Sequence, residues 1–111
     1  MTKNPHNAHI YLTLTPDIAS SNEMIDGVII FNHSQRGGGT FTLRAKITGR
    51  DDYEEELDTR TQDYSPHKPH KRIFNFKSPI TPGVYEVVAS VTSESGEELE
   101  SSKAPLIVRA G

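Results

Sequence analysis

The chain has no cysteine and no tryptophan, and its longest uninterrupted apolar run is Val28-Ile29-Ile30-Phe31. Without cysteine there is no disulfide scaffold, thiolate zinc site, iron–sulfur cluster or cysteine nucleophile. The apolar run is far shorter than the roughly 20 residues that cross a bilayer as a helix, so no transmembrane segment is expected. The opening Met1-Thr2-Lys3-Asn4-Pro5-His6 lacks the apolar region of a signal peptide. The chain is therefore expected to be soluble, either cytoplasmic or a mature or excised extracellular domain. Charge of one sign is also scarce: 12 Lys and Arg against 15 Asp and Glu give a net charge of −3 and a pI near 5.9. Binding to nucleic acid, which needs clustered positive charge to displace phosphate counterions, is not expected.

What remains is 111 residues of 12.3 kDa, 33% hydrophobic, with mean hydropathy −0.57. That is the length of one domain, expected over 1–111 with residues 1–8 as a flexible N-terminal arm. Disorder is not indicated, because it requires low hydrophobicity together with high net charge, and β-branched residues are frequent here.

Period 2 dominates the chain. Ile10, Leu12 and Leu14 alternate with Tyr11 and Thr13, and Pro16 ends that strand. Glu23 to Phe31 places Ile25, Gly27, Ile29 and Phe31 on one face and reads as a central strand. Phe41, Leu43, Ala45 and Ile47 alternate with Thr42, Arg44, Lys46 and Thr48 in the third strand. After the turn at Gly49-Arg50-Asp51-Asp52, Tyr53 to Arg60 is expected as an edge strand with Tyr53, Glu55, Leu57 and Thr59 on one face. A helix there would have only one leucine with which to dock. Lys71 to Lys77 turns Phe74 and Phe76 inward, and Val84 to Thr92 does the same with Tyr85, Val87, Ala89 and Val91. The last strand, Glu97 to Val108, contains Pro105, the mark of an edge or a bulge. Seven short strands without a credible helix describe an all-β fold, a single antiparallel two-sheet sandwich with immunoglobulin-like topology.

Several segments carry a resemblance. Ile25-Asp26-Gly27-Val28-Ile29 is similar to the V-x-G-x-V second strand of arrestin-like domains, and Leu43 to Ile47 with Gly49 to their next strand. Phe74-Asn75-Phe76-Lys77-Ser78-Pro79 and Pro82-Gly83-Val84-Tyr85-Glu86-Val87 resemble the F-x-F-x-x-P and P-G-x-Y-x-V segments of that family. Macroglobulin-type and fibronectin type III modules share most of these features. The resemblance implies the sandwich architecture and carries no partner with it.

Immunoglobulin-like strand directions bring the loops Asn32–Gly39, Gln62–His70 and Ser93–Gly96 to one end. That end holds the candidate binding residues His33, Arg36, His67, Lys68, His70, Lys71 and Arg72. Pro66-His67-Lys68-Pro69-His70-Lys71-Arg72 combines three fixed positive charges with two histidines and suits an acidic partner or an anionic surface. His6 and His9 repeat the H-x-x-H spacing of His67 and His70, but zinc needs three or four convergent ligands. The run Asp51-Asp52-Tyr53-Glu54-Glu55-Glu56 lacks the spacing of a calcium loop. No metal or cofactor is expected. Arg36-Gly37-Gly38-Gly39 precedes no nucleotide-binding helix, and no motif orients a serine beside a base, so catalysis is not expected. The reading is a module that binds a protein partner through end loops or an edge strand, with Tyr53–Arg60 and Glu97–Val108 as the edges, or that assembles with its own copies. The alternative is a carbohydrate-binding module stacking a sugar on Tyr11, Tyr53 or Tyr64.

Overall fold

The computed structural model describes residues 6–110. The first five residues of the expected arm lie outside the described residues. Residues 6–8 are packed: Ala8 is fully buried, and the His6 carbonyl accepts hydrogen bonds from the Ser34 N–H at 2.9 Å and the Ser34 hydroxyl at 3.1 Å.

Eight strands follow: β1 (His9–Thr15), β2 (Ile18–Ser20), β3 (Met24–Asn32), β4 (Gly39–Thr48), β5 (Glu54–Tyr64), β6 (His70–Lys77), β7 (Gly83–Ser93) and β8 (Glu98–Arg109). No helix occurs among the described residues, hence none long and apolar enough to cross a membrane. One sheet has the order β1-β3-β6 and the other β2-β8-β7-β4-β5. All pairings are antiparallel except β2 with β8.

The alternation read from the sequence becomes one core between the sheets. Ile25, Ile29 and Phe31 of β3 meet Phe41, Leu43, Ala45 and Ile47 of β4 and Val87, Ala89 and Val91 of β7, all inaccessible or nearly so. Burying a side chain of the larger kinds contributes about 1.5–3 kcal/mol, which is how a chain so poor in apolar residues holds together. The outer face of the five-stranded sheet is polar. Arg44 pairs with Glu56 at 3.2 Å, Lys46 with Glu54 at 3.3 Å, and Thr42 shares a hydrogen bond with Thr61 at 2.8 Å. Such exposed pairs add little stability, but they occupy Glu54 and Glu56 of β5.

Three features differ from the sequence expectation. β2 has only Ala19 buried between exposed Ile18 and Ser20, a segment too short to show a period. By pairing Ile18↔Ile107, Ala19↔Val108 and Ser20↔Arg109 it makes the end of β8 internal. The expected β8 edge is therefore open only before Ile107, and Pro105 sits in that open stretch, where its missing N–H costs no ladder bond. β5 extends to Tyr64, and its register with β4 shifts between Ala45 and Lys46, leaving Leu57 unpaired. Beyond the shift Asp58, Arg60, Gln62 and Tyr64 stand opposite Ala45, Leu43, Phe41 and Gly39, so the single face expected for Tyr53, Glu55, Leu57 and Thr59 is broken.

Two glycines are required by close approach. The Tyr85 ring covers Gly49 while its hydroxyl donates to the Thr81 carbonyl at 2.6 Å, and a Cβ on Gly49 would come within 2.7 Å of that ring. In β3, Gly27 stands opposite Phe74 of β6, and a Cβ there would lie 2.3 Å from the ring. Phe74 is itself buried and cannot move aside freely. Gly27→Ala is expected to cost about 1–3 kcal/mol by overpacking, measured by urea unfolding. Phe74→Leu in the same chain should recover part of that loss, and a strictly additive double mutant would contradict the contact.

Candidate functional site

At one end of the sheets the chain leaves β3 through Asn32 to Gly38 and passes from β5 to β6 through Ser65 to Pro69. The side chain joining them is His33, 2% exposed. Its Nδ1 accepts the Gln35 backbone N–H at 3.0 Å, so the proton resides on Nε2, which donates to the Tyr64 carbonyl at 2.7 Å. The His33 carbonyl in turn accepts the His67 N–H at 2.8 Å. His67 adopts a left-handed backbone with φ 61°, unusual outside glycine, and this hydrogen bond helps hold it there. The turn that closes the first loop needs positive φ at Gly37 and Gly38, which explains the glycines after Arg36.

Rings carry this end into the core. Phe31 packs against Phe41 at 5.2 Å, Tyr64 at 5.1 Å and His33 at 5.6 Å, and His33 lies 4.5 Å from Phe41. The Tyr64 ring then meets His70 at 5.0 Å, and His70 Nε2 is 2.7 Å from the Ser65 carbonyl.

Two hollows flank the β5–β6 connection. One, of about 230 Å³, lies among Asn7, Asn32, His33, Ser34, His67, Lys68 and Pro69. The other, of about 240 Å³, opens between the edges of the two sheets and is lined by Leu43, Arg60, Gln62, Tyr64, His70, Lys71 and Arg72. It exists because the three-stranded sheet ends at β6 while the five-stranded sheet carries β5 further out. One ion pair bridges the two edges: Arg72 grips Asp58 through Nε at 3.0 Å and Nη2 at 2.9 Å. The Asp58 carboxylate raises the already high pKa of Arg72, against the opposing effect of burial. Burial likewise raises the Tyr64 hydroxyl, while Arg72 and Arg60 pull it down, which places both guanidinium groups in the field of that ring.

The seven residues singled out from the sequence thus fall into three situations. His33 is turned inward with both ring nitrogens engaged. Arg72 is half-buried and tied to Asp58. Arg36, His67, Lys68 and Lys71 are exposed, and half-buried His70 lies between Tyr64 and the solvent. Among the described residues no acid forms an ion pair with Arg36, Lys68 or Lys71. Arg60, which sequence reasoning passed over as part of a solvated edge, belongs with them. Its Nε donates to Gln62 Oε1 at 2.9 Å, and no carboxylate pairs with it. The register shift at Leu57 turns it toward the groove, and a bulge leaves no mark in an acidic run. No group of three or more potential metal ligands converges among the described residues. Of the three tyrosines considered for sugar stacking, Tyr64 is buried, Tyr53 packs on Tyr85 at 5.6 Å, and Tyr11 is exposed on the outer face of the three-stranded sheet.

Burial lowers the His33 pKa below its ordinary 6.5, helped by the nearby His70, His6 and His67 and opposed by the Tyr64 hydrogen bond. The folded state thus binds fewer protons here than the unfolded chain. The stabilisation is complete above the unfolded value and is lost as pH falls through the lowered one. His33→Phe leaves the Gln35 N–H and the Tyr64 carbonyl unpaired, at an expected cost of about 1–3 kcal/mol near neutral pH. Its unfolding free energy should fall less than that of the unmodified protein between about pH 7.5 and pH 5. Equal slopes for the two proteins would refute this role for His33.

No protein-family model matches the chain, and no curated protein matches it in sequence. Solved structures do match. The CARDB domain of the PF1109 protein of Pyrococcus furiosus, solved in complex with di-metal ions, has a TM-score of 0.75 and 18% identity over 96% of this chain and 96% of its own. Spo0M, a sporulation control protein of Bacillus subtilis, has a TM-score of 0.69 and 16% identity over 95% of this chain and 50% of its own. The β-glucosidase EmGH1 of Erythrobacter marinus has a TM-score of 0.76 and 7% identity over 94% of this chain but only 16% of that enzyme. At such identities the likeness concerns the fold: the described residues form an all-β structure of eight strands in two sheets, similar in fold to the CARDB domain.

Proposed function

We propose that this chain is a non-catalytic immunoglobulin-like module that binds a protein partner at the corner formed by the loops 33–38 and 65–69 and the open edge of β6. The observation that carries this reading is that Lys68 lines one hollow and Arg60 and Lys71 the other, with Arg36 in the loop that lends His33 and Ser34 to the first, none of them in an ion pair among the described residues. On the outer face of the five-stranded sheet Arg44, Lys46 and Lys103 each face an acid, while Arg50, Lys77 and Arg109 stand without an ion pair among the described residues. A protein of net charge −3 that sets four of the seven unpaired Lys and Arg among its described residues at one corner has there a surface suited to steering an acidic partner. The internal engagement of His33 supports binding over catalysis, since neither of its nitrogens is free to move a proton. The sheet order, β1-β3-β6 over β2-β8-β7-β4-β5, supports the fibronectin type III variant of the immunoglobulin-like arrangement.

A glycan-binding reading is favoured by a single observation, the 55% exposure of Tyr11 on a sheet face that also exposes Ile73 and Met24. A lone aromatic ring gives a weaker platform than the charged corner gives an acidic protein surface.

Photo-crosslinking in the native host separates the two. A photoreactive residue at Lys68 is expected to yield a discrete protein adduct, and the same residue at Ser101, on the outer face of the five-stranded sheet, to yield none. Adducts at both positions, or at neither, would overturn the assignment. A saturable glycan-array signal abolished by Tyr11→Ala would put the second reading in its place.

A further inference from the structure

From this reading of the corner, we infer that the groove between β5 and β6 receives a carboxylate side chain of an extended acidic segment, which pairs its backbone with the open edge of β6. Three observations converge on that occupant. First, β6 ends the three-stranded sheet and β5 ends the five-stranded one, so both walls of the groove are strand edges. Edge strands carry amides and carbonyls that another strand satisfies and a small ion does not. Second, the groove measures about 240 Å³. Pockets that enclose a small molecule span roughly 300–1,000 Å³, so this one fits a side chain presented by something larger. Third, its charge is of one sign where it is free. Arg72 is consumed by Asp58, but Arg60 bonds only the neutral amide of Gln62, and Lys71, which alternates with inward His70 and Arg72, stands at the rim without an acid among the described residues.

The same residues set the register. The Arg72–Asp58 bridge closes the gap between the sheets, and Glu55 of β5, opposite Ile47, repels an acidic chain beyond it. The segment is therefore confined to the stretch where Arg60 and Gln62 lie across from His70, with Lys71 at the rim. Leu43 at the lining and the Tyr64 ring supply an apolar base against which the methylenes of a glutamate pack. A guanidinium held at Nε by Gln62 keeps its outer nitrogens for a carboxylate, the pairing Arg makes best.

The probe is a seven-residue peptide of alternating glutamate and valine with blocked termini, followed by fluorescence anisotropy. Saturable binding is expected, weakened at least about fivefold between about 0.05 and 0.5 M salt. Arg60→Glu with Lys71→Glu should reduce affinity at least about tenfold while the melting temperature stays within a few degrees, because neither residue is in an ion pair among the described residues and Arg60 has only an exposed bond to Gln62. The same peptide N-methylated at alternate amides should bind at least about tenfold more weakly, and the intact peptide should slow amide exchange along β6. Absence of binding overturns the inference. Equal affinity of the N-methylated peptide, or full competition by sulfate, would show a compact-anion site, and a stable dimer in sedimentation without peptide would show a second copy on the edge. Each of these also defeats it. If the peptide fails while a photoreactive residue at Lys68 still captures a discrete protein, the corner remains a protein-binding site and only the acidic strand is lost.

Discussion

The corner depends on one buried imidazole. His33 is neutral, fixed in the Nε2–H tautomer by a donor on one side and a carbonyl on the other, and stacked among Phe31 and Phe41. A histidine in that position does what a phenylalanine cannot: it fills an aromatic site and also satisfies two backbone groups that burial would leave unpaired. The loop after β3, the end of β5 and the start of the β5–β6 connection are all tied to it. Because this clamp is internal, the side chains of Arg36, His67 and Lys68 outside it stay exposed. His67 is held in a left-handed conformation by the clamp's own carbonyl, and Lys68 and Pro69 follow from where it points the chain.

The second constraint is the unequal width of the sheets. Three strands cannot cover five, so β5 projects past the core with an inner face that no apolar partner buries. The sequence meets this with polar side chains at the inward positions: Asp58, Arg60 and Gln62 where an evenly covered strand would carry valine or isoleucine. A half-buried bidentate pair between Asp58 and Arg72 closes the lower part. Charge-assisted pairs of this geometry are stronger than the exposed pairs on the outer face. Above the bridge the gap stays open, and that opening is the groove.

Most of the strands were legible because each has one buried face, and a period of two survives in β1, β3, β4, β6 and β7 without help from context. What failed had a physical reason in each case. β2 buries a single residue and so carries no period. β5 has no buried face for most of its length, and its bulge at Leu57 inverts the parity that would have placed Arg60 correctly. Pro105 did announce an open stretch of β8, but only β2, itself invisible, defines where that stretch ends. The loop cluster was predictable from strand direction alone. His33 was not separable from its exposed neighbours, since nothing in Asn32-His33-Ser34 says that the ring turns inward.

Open strand edges expose unpaired backbone that can recruit the wrong chain. The two edges at the groove solve this with opposite charge. β5 carries Glu54, Glu55, Glu56 and Asp58, which discourage pairing of β5 with a second β5, and β6 carries Lys71, Arg72 and Lys77, which discourage pairing with a second β6. Glu54 and Glu56 of β5 are drawn to the outer face by Lys46 and Arg44, and Arg72 is drawn inward by Asp58. Repulsion between identical edges therefore persists while the upper part of the β6 edge keeps an uncompensated positive field. An edge guarded in this way rejects its own copy and accepts a strand of the opposite charge, so the same side chains that protect the fold from association select the partner.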